Sequence, residues 1–168
     1  MQIAFLIIST ILLFFGIFAF TGAPYVPSIK KELNLLFENL YPLKKSDHIV
    51  DLGSGDGIVL KIAAEHGASG TGIELNPFLV LISKLRLRKY KNIHFKLGDM
   101  YGLEFPKETT LIYIFGDHRD FARLEKKVQS EANRLKKTLY FVSYGFNSKK
   151  NKPVKTYRAY FLYKIQPE

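Results

Sequence analysis

Asp51, Gly53, Gly55 and Gly57, with a second acid at Glu74, are the residues whose types and spacing could do chemistry. The apolar run Ile49-Val50-Asp51-Leu52 enters a glycine-rich turn, which reads as a strand ending in a loop that a ligand can approach closely. A helix beginning near Ile58 aims unpaired backbone N–H groups at the same point. A pyrophosphate there would call for G-x-G-x-x-G spacing and a spot free of negative charge. Here the spacing is G-x-G-x-G, Ile58 stands where the third glycine would fall, and Asp51 and Asp56 would repel a pyrophosphate. The acids suit a ligand with a cationic amino-acid head and an adenosine tail. Asp51 would hold water or the ammonium region, the turn Gly53-Ser54-Gly55-Asp56-Gly57 would admit the chain, and Glu74 would take both ribose hydroxyls.

Further residues carry two readings each. Glu74 is a ribose ligand, or an acid that favours the helix N-terminus after it. Asp99, in Lys96-Leu97-Gly98-Asp99-Met100, accepts from an adenine amino group, with Leu75 and Met100 as walls, or caps a turn. Asn76 is a helix cap or a ligand neighbour. Asp117 and His118 follow the fourth strand, where an imidazole titrating near ~6.5 could move a proton, or where they open a helix. Phe115 ends that strand, and Tyr25 is either an interfacial aromatic or a lid over the mouth. His66 and His94 have no carboxylate or thiol at metal-ligand spacing, so no metal site is expected, and His48 reads as flanking a strand.

These residues need strands to present them. Strands are expected at about 48–52, 70–74, 93–98, 111–115, 138–144 and 157–164, with helices at about 28–40, 58–66, 77–90 and 118–135. Asn76-Pro77 is a good start for the third helix. Alternating strands and helices imply right-handed crossovers and a Rossmann-like, mainly parallel α/β sheet with helices on both faces. The link from Gly145 to Lys155 is too short for a crossover helix, so the last two strands should pair antiparallel at one edge. Asp51, Glu74, Asp99 and Phe115 then share the carboxyl ends of the strands, where ligands of open sheets bind.

A chain of 168 residues fits one domain, and the lack of cysteine excludes disulfides, thiolate metal sites and cysteine nucleophiles. Net charge +10 favours acidic partners, nucleic acid or an anionic membrane. No stacking motif or RNA module accompanies the basic residues, so nucleic acid is the weaker partner. Residues 3–20 carry no charge and would span roughly 27 Å as a helix at ~1.5 Å per residue, close to a bilayer core. The segment lacks the basic start of a signal peptide, and so short a protein has little core to bury an all-round apolar helix. Residues 1–23 are therefore expected to be a transmembrane anchor and 24–168 the catalytic domain. Lys30, Lys31, Lys44 and Lys45 follow the span and put the domain on the cytoplasmic side.

The Asp51-Leu52-Gly53-Ser54-Gly55-Asp56-Gly57 turn resembles motif I of the class I (seven-β-strand) S-adenosylmethionine methyltransferases. Pro24-Tyr25-Val26-Pro27-Ser28, Glu74-Leu75-Asn76-Pro77-Phe78 and Ile114-Phe115-Gly116 narrow the likeness. Together they are similar to the small lysine methyltransferases that include the mitochondrial enzymes acting on ATP synthase and on the adenine nucleotide translocase. Those enzymes also carry an apolar N-terminal segment and a P-[YF]-V-P element. The resemblance implies S-adenosyl-L-methionine as cofactor, bound by Asp51, Gly53, Gly55, Glu74 and Asp99, with Tyr25 to Ser28 lining the entrance. It implies a protein lysine as acceptor, with a membrane protein among the candidate substrates. Within that expectation Tyr25, Phe115, Asp117 and His118 would form the acceptor channel. No Asn-Pro-Pro-Tyr-like element follows the fourth strand, which argues against the amide or base methylation that uses one. A lipid, quinone, other small molecule or RNA is the alternative acceptor, and a non-catalytic membrane scaffold the alternative role.

Overall fold

In the computed structural model residues 2–6, 8–10, 29–115, 121–148 and 150–168 are described. Helix α1 (Lys30–Asn39) leads into β1 (His48–Leu52), α2 (Ile58–Glu65), β2 (Ser69–Glu74), α3 (Pro77–Arg86), β3 (Ile93–Leu97) and β4 (Leu111–Phe115). Helix α4 (Phe121–Leu135), β5 (Leu139–Tyr144), β6 (Lys155–Tyr157) and β7 (Tyr160–Ile165) complete the order. The strands form one seven-stranded sheet, β3-β2-β1-β4-β5-β7-β6. From β3 to β5 all neighbours are parallel, and β7 runs antiparallel between β5 and β6. Strand order reverses between β1 and β4, and the crevice of an open sheet forms at that switch.

Both faces of the sheet are covered. On one, Ile49, Leu111, Tyr113 and Val142 pack against Leu33, Leu36 and Phe37 of α1 and Leu60, Ile62 and Ala63 of α2. On the other, Val50, Leu52, Ile112, Ile114 and Phe141 meet Phe121, Leu124, Val128 and Ala132 of α4. β1 is buried along its whole length, which is why its sequence reads as a continuous apolar run broken only by His48 and Asp51. Each fully buried aliphatic side chain contributes about 1.5–3 kcal/mol relative to exposure.

Two buried polar side chains fasten these layers. Glu131 lies on the apolar stripe of α4 and is 3 % exposed. Burial alone would raise its pKa most, but donors from Lys127 (2.7 Å), Arg134 (2.9 Å) and the Phe105 backbone (3.2 Å) hold it below the usual carboxylate range. It ties the β3–β4 loop to α4. His48 sits inside β1, not beside it, because its ring bonds Ser69 Oγ at 2.9 Å and Thr71 Oγ1 at 3.0 Å on β2.

The C-terminal region departs from the expected two-stranded edge. The stretch expected as one strand is broken at Arg158, whose φ of 52° turns the chain between Tyr157 and Tyr160. Consequently β6 forms the edge and the antiparallel β5–β7 pairing lies inside the sheet. Helix α3 ends at Arg86, earlier than expected. Of the expected anchor, residues 1–23, positions 1, 7 and 11–23 lie outside the described residues; residues 2–6 and 8–10 are helical. Among the described residues, no helix is long and apolar enough to cross a membrane.

Burial, the leading cause, lowers the His48 pKa below its ordinary 6.5. The unfolded chain therefore binds more protons there, so stability is intact above about pH 6.5 and declines as the pH falls below it. Urea midpoints should drop between about pH 7.5 and about pH 5.5, and His48→Asn should flatten the drop. Equal drops in both chains would remove His48 as the cause.

Candidate active site

Asp51 occupies the point where β1 meets the glycine turn, in register with Gly72 of β2 and Tyr113 of β4. It is 2 % exposed, and among the described residues its Oδ2 has no hydrogen-bond partner. Ser54 Oγ beside it is likewise buried and unpartnered. Burial first, then the charges of Glu74 and Asp56, raise the Asp51 pKa well above the usual range. An unpaired buried acceptor costs about 1–3 kcal/mol, and native interiors almost always supply a partner. This carboxyl is therefore built to receive a cation or a donor from outside the protein.

The turn above it is held open by its neighbours. The Gly53 and Ser54 N–H groups both donate to Ile73 O, at 2.8 and 3.2 Å. Glu74 bridges the rest: Oε2 accepts from Gly55 N at 2.9 Å and Oε1 from Asn76 N at 2.8 Å. Each carboxylate oxygen keeps a lone pair for a further donor. Gly53, with φ +74°, has nothing within 4 Å of where a side chain would begin, so its open side is a notch. Gly72 is the opposite case, since a Cβ there would lie 2.5 Å from Ser54 Oγ. One glycine leaves room for a ligand and the other for the loop itself. Gly57 precedes α2 as its N-cap.

Asp56 turns away from the notch. Its carboxylate pairs with Arg86 of α3 and accepts from Ile58 N at 3.3 Å, so it anchors the loop and the start of α2. Asn76 is a helix cap, its side chain accepting from Phe78 N at 2.9 Å with Pro77 following. Asp99 is exposed, and its Oδ1 accepts from Tyr101 N at 3.1 Å while its backbone oxygen closes the turn onto Gly102 and Leu103. Leu75 is 50 % exposed at the end of β2, and Met100 is half-buried after Asp99.

Beyond Asp51 on the same face lies an aromatic row. Phe115 stacks on Tyr144 with ring centroids 4.7 Å apart, and Tyr144 meets Tyr160 edge-on at 4.8 Å. The three are register partners across β4, β5 and β7. Strand alternation puts Phe115 on the side of Tyr113, the partner of Asp51. Burial is the main reason the Tyr160 hydroxyl is pushed up to about 12. Arg158, beside Tyr160, grips both oxygens of Glu32 at 2.6 Å, which brings the start of α1 to this row. Sequence reasoning finds Phe115 but misses Tyr144 and Tyr160; the available signal is that all three close or open adjacent strands. Tyr25, Asp117 and His118 lie outside the described residues. No group of acids and histidines that could hold a metal occurs among the described residues.

The buried orphan at Asp51, the notch at Gly53 and the spare lone pairs of Glu74 fit a ligand with an ammonium group and a ribose. Comparison with known proteins bears on which one. The family model described as the ANTKMT methyltransferase domain matches residues 51–155. The chain is 33 % identical over 112 residues to the ATP synthase C-subunit lysine N-methyltransferase of Homo sapiens, covering 64 % of this chain and 46 % of that protein. The Xenopus laevis protein of the same name is 32 % identical over 111 residues, covering 64 % and 48 %. The chain thus spans about half the length of the curated relatives it matches. An RNA methyltransferase from Salinibacter ruber, in complex with S-adenosyl-L-homocysteine, superposes with a TM-score of 0.76 at 25 % identity, covering 85 % of this chain and 95 % of that one.

A raised Asp51 pKa means that the unliganded fold is penalised as the pH rises above the ordinary carboxylate range. Asp51→Asn should therefore raise the unfolding free energy of the ligand-free chain, read from urea curves near neutral pH, by about 1–3 kcal/mol, with the gain shrinking as the pH falls. A variant less stable than the parent at neutral pH would show that Asp51 is satisfied within the protein.

Proposed function

The chain belongs to the ANTKMT methyltransferase domain family, within the class I methyltransferases, and from that premise we propose that it methylates a protein lysine from a membrane-anchored position. S-adenosyl-L-methionine is the methyl donor of this class, and when bound it would offer a neutral amine an electrophilic methyl carbon whose C–S bond breaks to release a neutral thioether. The observation that carries the reading is the unpartnered, buried Asp51 carboxylate at the foot of an open glycine notch.

Each side chain has a task in this reading. Asp51 holds the ammonium group or a water beside it, and the open side of Gly53, with Ser54 and Gly55, admits the amino-acid chain. Glu74 receives the ribose hydroxyls on the lone pairs left after Gly55 and Asn76. Leu75 and Met100 border the adenine, and Asp99 Oδ2 accepts from its amino group. Asp56 and Gly57 act through the loop they hold. Exposed Phe115 and half-buried Tyr144 receive the lysine, and Tyr160, buried behind them, holds their position. Aromatic faces attract the incoming ammonium, and desolvation then lowers its pKa toward the neutral form that reacts. Tyr25, Asp117 and His118, which lie outside the described residues, stay candidates for the acceptor channel on the family resemblance. Alignment of amine and sulfonium supplies most of the rate.

The acceptor in this reading is a lysine of a membrane protein. The Homo sapiens and Xenopus laevis relatives, lysine N-methyltransferases named for the C-subunit of ATP synthase, support it. The uncharged residues 3–20 and the lysines that follow support a single-pass anchor with the domain on the cytoplasmic side. One observation favours a second acceptor: the Salinibacter ruber neighbour is an RNA methyltransferase of nearly the same extent.

Membranes from cells lacking this gene, incubated with the full chain and methyl-labelled S-adenosylmethionine, should show label on lysine of one protein. Label in RNA or lipid would replace the lysine reading, and binding without turnover would leave a scaffold. Tyr144→Ala should slow transfer roughly 10–100-fold by loosening the amine's position, while calorimetry shows the cofactor affinity retained. Unchanged transfer would remove the aromatic row from the site.

A further inference from the structure

Helix α3 is apolar on two sides, and only one of them is buried within the described residues. Val80 and Ser83, with Leu87 just past the helix end, are buried against the sheet. Leu81, Ile82 and Leu85 point outward, 54 %, 49 % and 60 % exposed, and Leu97 on the neighbouring edge strand β3 is 55 % exposed. Such residues are costly to leave in water, and side by side they mark an interaction surface.

The charge of this edge is one-sided. From Leu75 to Gly98 the sequence contains no Asp or Glu, yet carries Lys84, Arg86, Arg88, Lys89, Lys91 and Lys96. Arg86 is taken by Asp56. The others are exposed, and Lys84, Arg88, Lys91 and His94 line a cavity of about 410 Å³ between α3 and β3, floored by Leu87, Ile93 and Phe95. Leu81, Lys84 and Leu85 share one helix face by their spacing, and Arg88 continues it one turn on. Apolar contacts and a basic cavity therefore stand next to each other on one surface. By contrast α1 and α4 carry acids of their own, among them Glu32 and Glu131.

We propose that this α3–β3 edge docks on an anionic phospholipid surface, the leucines entering the acyl boundary and the cavity receiving a lipid phosphate. Amphipathic helices with Lys and Arg beside exposed aliphatic side chains bind membranes in this way. Each cation near such a surface strengthens binding roughly fivefold. A second copy of the chain would bring like charges together. A nucleic acid would use the cations but leave the leucines unpaired, and such surfaces interleave aromatic stacking platforms; here the tyrosine at the cavity mouth, Tyr90, already carries Lys89 at 4.9 Å. The contact draws on residues 81–97 alone. Because α3 follows Glu74 directly, it seats the notch within about one α3 length, ~15 Å, of the lipid.

The chain has no cysteine, so Leu85→Cys places a single environment-sensitive dye on the full-length protein. Vesicles of phosphatidylcholine with about 30 % phosphatidylserine should shift its emission to the blue, and pure phosphatidylcholine should not. The same dye at Lys126→Cys, exposed on α4, should stay in water. Arg88→Gln with Lys91→Gln should weaken the response roughly 25-fold, and added salt should weaken it further. The proposal is overturned by a dye at position 85 that stays in water on vesicle-bound protein. It is equally overturned by an equal response to neutral vesicles, an equal response at position 126, or a response to an RNA oligonucleotide in place of vesicles.

Discussion

Burying a carboxyl group at the end of a central strand is the constraint around which this molecule is arranged. Asp51 stands between two strands, Gly72 on one side and Tyr113 on the other, where water cannot solvate it. Strand order reverses beside it, so the crevice that the topology creates opens directly over this group. The nearby acids raise the cost of its charge. Glu74 offsets part of its own charge by accepting two backbone N–H groups, and Asp56 does so through Arg86. Of these three acids, Asp51 is the one with a buried oxygen that no described residue satisfies. The protein carries an unsatisfied buried acceptor at the cost of stability, and in the proposed reading the cofactor's cationic group completes it.

The aromatic row follows from the same topology. Parallel β4 and β5 carry Phe115 and Tyr144 to one level, and antiparallel β7 returns Tyr160 to that level from the other direction. The inserted strand thus packs a buried tyrosine against the side chains that close the two parallel strands. The turn at Arg158 starts β7 at this height, and its pairing with Glu32 ties α1 to the same corner. Three contacts distant in sequence thus build the row that the proposed function uses as a wall. Each close aromatic pair adds about 0.5–1.5 kcal/mol beyond its buried area, which stiffens the wall.

Local features were legible in the sequence and long-range ones were not. The glycine turn, the β1 to β5 order and the Asn76 cap depend on neighbours within a few residues, and their residue types announce them. Asp56 and Arg86 are thirty positions apart, and no local pattern says that a loop acid will face a helix C-terminus instead of the ligand. Tyr144 and Tyr160 read as ordinary strand residues until register sets them against Phe115. Glu131 looks like one more exposed helix acid, and only folding of the β3–β4 loop onto α4 reveals it as a buried tie. The split between β6 and β7 has no local signal, because Arg158 adopts a backbone conformation usually left to glycine.

A carboxyl-carbon NMR titration of the Asp51 side chain tests whether this group waits for the cofactor. In the free chain this carboxyl should titrate well above the ordinary aspartate range. With S-adenosylmethionine bound, its titration should move down, because the ligand's positive charge and donors then favour the carboxylate. A titration already in the ordinary range without ligand, or one that the cofactor leaves unmoved, would contradict the account.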